Sequence, residues 1–238
     1  MKKIIRLASI VLVFSFTLFG LTNKASAAKL TMYCSVEIDV CEMLEQAYEK
    51  ETGTKVAMTR ASSGETFAKI KAESSNPKGD VWFGGTGDPH LTAAQENLTE
   101  KYKSIHFNDL LPAAQNQAKN ADFKSVGIYV GALGFGYNKD LLAKKGLPAP
   151  KSWMDLTKPI YKGEIQVANP NSSGTAYTTL ATILQIFGED KGWDYMKALH
   201  LNINTYTKSG SAPIKATGRG ENLIGICFQH DGVKQTKK

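Results

Sequence analysis

Residues 168–179 read Ala-Asn-Pro-Asn-Ser-Ser-Gly-Thr-Ala-Tyr-Thr-Thr and run straight into the apolar helical pattern of Leu180, Ile183, Leu184 and Phe187. Upstream, 163–167 has the apolar composition of a short strand, so strand, small polar turn and helix together form a βα unit. Pro170 and Gly174 shape the turn, and Ser172 or Ser173 can cap the helix. The first amides of that helix have no intrahelical acceptor and sit at the positive end of its dipole. Two readings are open for the stretch alone: a plain serine-rich N-cap, or an anion seat built from Ser172, Ser173, Gly174 and Thr175. Its context weighs between them.

The alternation repeats on both sides. Strand patterns at 30–34, 55–59 and 80–83 are each followed by a helical one, at 40–52 ending at Gly53, at 66–73, and from Asp88-Pro89 onward after the glycine loop Gly84-Gly85-Thr86-Gly87. Residues 125–138 differ: Val126, Ile128, Val130, Leu133, Phe135 and Tyr137 alternate with four glycines and predict one long extended crossover. Beyond it, helical patterns at 139–145, 175–188, 191–200 and 212–219 alternate with strands at 163–167, 203–206 and 223–228. This order predicts an α/β fold with largely parallel sheets in two lobes, 28–126 and 127–238, hinged near 125–138.

The chain of 238 residues carries a formal net charge of +7. Residues 1–27 combine Lys2, Lys3 and Arg6, an apolar run over 7–21 and the triplet Ala25-Ser26-Ala27, the pattern of a signal peptide cleaved after Ala27. The apolar run is shorter than the roughly 20 residues of a membrane span. Removing the leader, with Lys24 and no acids, lowers the charge from +7 to +3. No basic run interleaved with aromatics remains, so nucleic acid is not an expected partner. In an oxidising compartment Cys34 and Cys41 are the local candidates for a disulfide, while Cys227 lies in an apolar strand pattern that implies burial.

Ligands of open parallel sheets bind beyond the carboxyl ends of the strands, and the unusual polar residues follow strands. Ser35 and Glu37 follow the first; Arg60, Ser62, Ser63 and Glu65 the second; Thr86, Asp88 and His90 the third. In the second lobe Ser172 to Thr175, then Ser209, then His230 and Asp231 take the same place. Each has a bland alternative: Ser63 and Asp88 as N-caps, Arg60 as a solvated charge, His90 and His106 as surface residues, His200 as a helix-end contact. No Gly-x-Ser-x-Gly, Cys-x-x-Cys or His-Glu-x-x-His is present, and Ser75-Asn76-Pro77-Lys78 has a proline inside its Ser-x-x-Lys. We expect no catalytic residues, no cofactor and no resident metal.

Tyr33 to Cys41, Arg60 to Glu65, Gly79 to Pro89, Gly131 to Leu142 and Tyr161 to Tyr177 resemble the extracytoplasmic solute-binding proteins of bacterial ABC importers, in the branch that binds ferric iron, sugar phosphates and phosphonates. The resemblance implies a bilobal type II periplasmic-binding fold that closes around its ligand by hinge motion. It also implies a periplasmic monomer that serves an inner-membrane permease. By position, Ser173, Gly174 and Thr175 match the anion seat of ferric-binding relatives, 206–209 matches a second anion-side stretch, and His230 and Asp231 stand where those relatives carry iron-ligating tyrosines. A hard ferric ion favours phenolate and carboxylate oxygens. The preferred solute is therefore small, anionic and phosphorylated, with ferric iron as the alternative and a secreted hydrolase as the alternative outside the class. Relatives continue past Lys238 with strands that return to the first lobe. The expectation is thus a chain whose C-terminal part is missing, truncated or frameshifted, and marginal in stability.

N-terminal sequencing of exported protein is expected to begin at Ala28. Met1 retained on soluble cytoplasmic protein removes the export assignment.

Overall fold

A computed structural model describes residues 29–236, and the expected leader and its cleavage point lie outside the described residues. Strands β1 (Lys29–Cys34), β2 (Lys55–Arg60) and β3 (Val81–Phe83) pair in parallel, in the order β2-β1-β3. Each strand leads into a helix: α1 (Ile38–Thr52), α2 (Ser63–Ala72) and α3 (Gly87–Gln95). The core of this unit centres on Met32, Cys34 and Cys41, packed against Leu30, Val36, Val56, Met58 and Phe83. Cys34 and Cys41 are joined as a disulfide, with Cα atoms 6.0 Å apart. It ties the end of β1 to the first turn of α1, and so fixes both ends of the segment Ser35-Val36-Glu37.

Helix α4 (Pro112–Asn120) occupies a stretch to which the sequence reading assigns no element. Its apolar residues are alanines, too small to give a helical stripe, and its start is set by Pro112 at the first position. The long extended segment expected over 125–138 is a strand only at β4 (Leu133–Tyr137). Its first half keeps the alternating sequence but finds no ladder among the described residues, leaving Val130 83% exposed. Alternation supplies a face; a strand also needs a neighbour.

The second sheet has the order β4-β7-β5-β6, with β5 (Ile165–Ala168), β6 (Ile203–Thr207) and β7 (Ile224–Phe228). Strand β5 is parallel to β6 and β7, and β4 runs antiparallel to β7. Helices α5 (Lys139–Lys144), α6 (Gly174–Phe187), α7 (Glu189–His200), α8 (Ala212–Gly218) and α9 (Gln229–Thr236) complete the unit. Its core joins Ile165, Val167, Ile183, Leu199, Leu223, Ile224 and Ile226. The near-continuous burial of β7 is that of a strand covered on both faces. Cys227 is buried on β7 and unpaired, its thiol pushed up to about 12 by burial and by the nearby Asp231 carboxylate. Among the described residues no helix is long and apolar enough to cross a membrane.

The Cys34–Cys41 loop has a sequence separation of 7, for which chain entropy gives about 2–3 kcal/mol of stabilisation. Peptide mapping without reduction is expected to recover these two cysteines linked, and Cys34→Ser with Cys41→Ser to lower stability by about that amount. Free thiols at both positions in exported protein contradict the pairing.

Candidate functional site

A cavity of 330 Å³ lies between the two sheets, within the ~300–1,000 Å³ of small-molecule sites. The segments that line it follow the carboxyl ends of strands. Ser35 to Glu37 come after β1, Arg60, Ser62 and Ser63 after β2, and Gly85 to Asp88 after β3; Ser173 to Thr175, Gly210 with Ser211, and Phe228 with His230 and Asp231 come after β5, β6 and β7.

Part of the cavity wall is built from helix starts. Ser173, 2% exposed, caps α6: its Oγ accepts from the Ala176 amide at 3.4 Å, while its own amide donates to the Asn169 carbonyl at 2.9 Å. The amides of Gly174 and Thr175, in the first turn, have no acceptor within the helix. Facing them are the starts of α2 and α3. The Gly64 amide donates to the Ser172 carbonyl at 3.1 Å, and the Thr86 amide donates to Ser63 Oγ at 3.3 Å. A Cβ on Gly174 would lie 2.1 Å from Thr86 Oγ1 and 2.9 Å from Ser63 Oγ, and one on Gly64 would lie 2.5 Å from the Asn171 carbonyl oxygen. Glycine at both positions lets the two backbones meet. Thr86 Oγ1 is buried without a hydrogen-bond partner, which marks it as a group open to a further contact.

The wall of the cavity also carries charge. The Glu37 carboxylate pairs with Lys215 of α8. Burial raises its pKa, but hydrogen bonds from Lys215 and Ser211, with the charges of Lys215 and Arg60, outweigh that and hold it below the ordinary value. Arg60 donates from Nε to the Val36 carbonyl at 2.9 Å and reaches Ser209 Oγ at 3.5 Å. Asp231, 6% exposed, lies in the first turn of α9 with His230 Nε2 3.7 Å from its Oδ1. Tyr129 closes one wall, its hydroxyl donating to the Gly85 carbonyl at 2.7 Å and accepting from the Gly85 amide at 2.9 Å.

The structure brings Ser35, Ser62, Ser63, Thr86, Ser173, Gly174, Thr175, His230 and Asp231 to this cavity. Ser172 and Ser209 are not among its lining residues. The Ser172 hydroxyl donates to the Lys208 carbonyl at 2.9 Å, which ties down the turn, and Ser209 Oγ lies beside Ser211 Oγ at 3.4 Å, with Ser211 in the wall instead. Ser35 lines the cavity with its hydroxyl already engaged: Trp82 Nε1 donates to it at 2.9 Å and Thr66 Oγ1 lies 3.0 Å away.

His90 is not the surface residue the sequence suggests. It stacks on Trp82 with ring centroids 3.7 Å apart and hydrogen-bonds the Gly84 carbonyl at 2.8 Å. Burial lowers its pKa, against the opposing effect of that bond. His200 Nδ1 meets the Tyr206 hydroxyl at 2.7 Å. Tyr129, Ser211 and Lys215 escape sequence reading because each reaches the site only through packing. Glu37 carried a usable signal, since it lies between two cysteines four residues short of the second.

Burial comes first in raising the Asp231 pKa above its ordinary 3.8; His230 opposes it, Glu37 adds to it, and Lys215 and Lys234 oppose it. A raised folded value favours the fold fully below the unfolded pKa, and that contribution is lost as pH rises through the folded value. Asp231→Asn, neutral at every pH, is therefore expected to melt above wild type at pH 7, with the advantage shrinking as pH falls toward 4. Thermal melts across that range check it, and a variant that melts lower at pH 7 contradicts it.

The chain is 45% identical over 216 residues to an uncharacterized protein of Haemophilus influenzae, an alignment covering 89% of this chain and 62% of the relative. It therefore spans less than two thirds of the length of that relative. Among solved structures it superposes on the periplasmic binding protein AfuA from Actinobacillus pleuropneumoniae, described with exogenous fructose-6-phosphate bound. The TM-score is 0.86 and the identity 45%, over 89% of this chain and 67% of that one. Iron-bound HitA from Pseudomonas aeruginosa shares the fold at 20% identity, with a TM-score of 0.70 over 84% of this chain and 63% of that one. The fold is that of type II periplasmic binding proteins, two α/β lobes about a cleft. With a family model described as bacterial extracellular solute-binding protein matching residues 83–237, the chain belongs to that family.

Proposed function

We propose that the protein is the solute-binding component of an ABC importer. It acts in the periplasm as a monomer, captures a small phosphorylated solute between lobes 28–126 and 127–238, and presents it unchanged to a permease in the inner membrane. The observation that carries this reading is the convergence of the starts of α2, α3 and α6 on part of the cavity wall, with Ser63, Thr86, Ser173, Gly174 and Thr175 supplying neutral donors there. Free first-turn amides and three positive dipole ends favour a polyanion over any neutral group. The resemblance to AfuA with fructose-6-phosphate bound supports the same class of solute.

Elsewhere on the lining Asp231 and Glu37 offer carboxylate oxygens, and His230 a ring nitrogen, to hydroxyl groups. These two acids are poor candidates for a ferric site. Glu37 is committed to Lys215, and among the described residues no group of three or more His, Cys, Asp or Glu side chains is placed to hold a metal ion. Nor does the site suggest turnover: the Ser35 hydroxyl is held by Trp82 and Thr66, and His90 by Gly84. The segment near 125–138 is the proposed hinge, which lets the lobes open for capture and release.

Calorimetry against fructose 6-phosphate, 2-aminoethylphosphonate and ferric citrate tests the reading. Heat is expected with the sugar phosphate, and Ser173→Ala is expected to weaken it by roughly 10- to 100-fold, the worth of one charge-assisted hydrogen bond. Asp231→Ala is expected to weaken it as well. Tight ferric binding that needs Asp231, with no response to either organophosphate, replaces this function with iron capture, and steady hydrolysis of a phosphate ester replaces it with an enzyme.

A further inference from the structure

Charges that cross the cleft are arranged with one polarity. Among the described residues the ion pairs between the lobes are Glu37 with Lys215, Glu65 with Lys208 at 2.6 Å, and Asp39 with Lys234 at 3.0 Å. In each the acid belongs to the first lobe and the lysine to the second. Every other ion pair of the described residues stays within one lobe.

The acids sit at helix starts: Glu37 precedes α1, Asp39 is in its first turn, and Glu65 is in the first turn of α2. Lys215 and Lys234 lie in the last turns of α8 and α9, and Lys208 follows β6. Acids at a helix start and bases near a helix end are each favoured by their own helix. For the three acids, Lys215 and Lys234, opening the cleft therefore strands no charge in an unfavourable place. The outer pairs are also wet, with the Lys208 side chain 79% exposed, so they are weak enough to break and are screened by salt.

We propose that Lys208 and Lys234, paired with Glu65 and Asp39, are positioning residues. Together with the inner Glu37–Lys215 pair they form an electrostatic latch that biases the lobes toward closure, and the two outer pairs raise solute affinity without touching the solute. Neither outer pair lines the cavity. The latch rests on the reading that the lobes open and close around a solute. An exposed pair shifts an equilibrium by at most about fivefold, so the two outer pairs together shift the closed fraction by on the order of tenfold, and charge reversal by more.

Small-angle scattering of the solute-free protein, at 20 mM and 500 mM sodium chloride, tests the latch directly. Wild type is expected to be more compact at low salt. Lys208→Glu with Lys234→Glu is expected to be expanded at both salts, with an unchanged circular dichroism spectrum. The quadruple charge swap, adding Glu65→Lys and Asp39→Lys, is expected to regain the compact form and its salt dependence, which lost packing alone would not restore. Titration with fructose 6-phosphate is expected to show affinity falling by about tenfold or more in the double variant and recovering in the swap. A double variant as compact as wild type at low salt, or a swap that stays expanded, overturns the latch. The scattering arm contains no solute, so a protein that fails to bind fructose 6-phosphate changes the functional reading and leaves the latch decided on its own data.

Discussion

Everything at the cleft depends on a backbone approach that only glycine permits. Gly174 faces Thr86 and Ser63 so closely that one methyl group would occupy the space of the threonine hydroxyl, and Gly64 lies equally tight against the 169–173 turn. The hydrogen bond from Gly64 to Ser172 then links a helix start in one lobe to a turn in the other. The donors of α2, α3 and α6 share one small volume because these glycines remove the side chains that would hold them apart. The lining of the cavity and the contact between the two α/β units thus rest on the same glycines.

The lining of the cavity combines two kinds of electrostatics. Where helix starts converge, positive potential comes from backbone amides fixed by the fold, which need no reorganisation and cannot titrate. Where the lining carries carboxylates the charges nearly balance, with Glu37 tied to Lys215 and near Arg60, and Asp231 beside His230. A lining that combines fixed dipoles with paired side chains is what supports the proposed solute, with one charged and one hydroxylated part.

Much of this was legible because local chemistry dictated it. The βα alternation, the helix start at Ser173 and the polar residues trailing each strand are written in spacing and residue type, and the cysteine pair needed only proximity. What escaped was what packing decides. Helix α4 is held by alanines that leave no stripe, and the first half of the 125–138 segment has alternation without a partner strand. His230 and Asp231 open a helix to which the sequence reading assigns no element, because β7 turns into α9 without a linker. Ser209 was displaced from the wall by its neighbour Ser211, a matter of side-chain direction that sequence order does not reveal.

The buried, unpaired Cys227 bears on how the chain acquires its one disulfide. Three thiols can pair in three ways, and the two wrong ways leave an odd cysteine on β1 or α1. Cys227 is 186 residues from Cys41 and 193 from Cys34, against a separation of 7 for the observed pair. Loop-closure entropy then favours the local pairing by on the order of 100-fold in an unfolded chain. In a chain made from the N-terminus the two early cysteines also precede the third by most of the sequence. Once β7 is packed, the third thiol is 2% exposed and protonated, out of reach of exchange. Loop length and burial thus both favour the observed pairing.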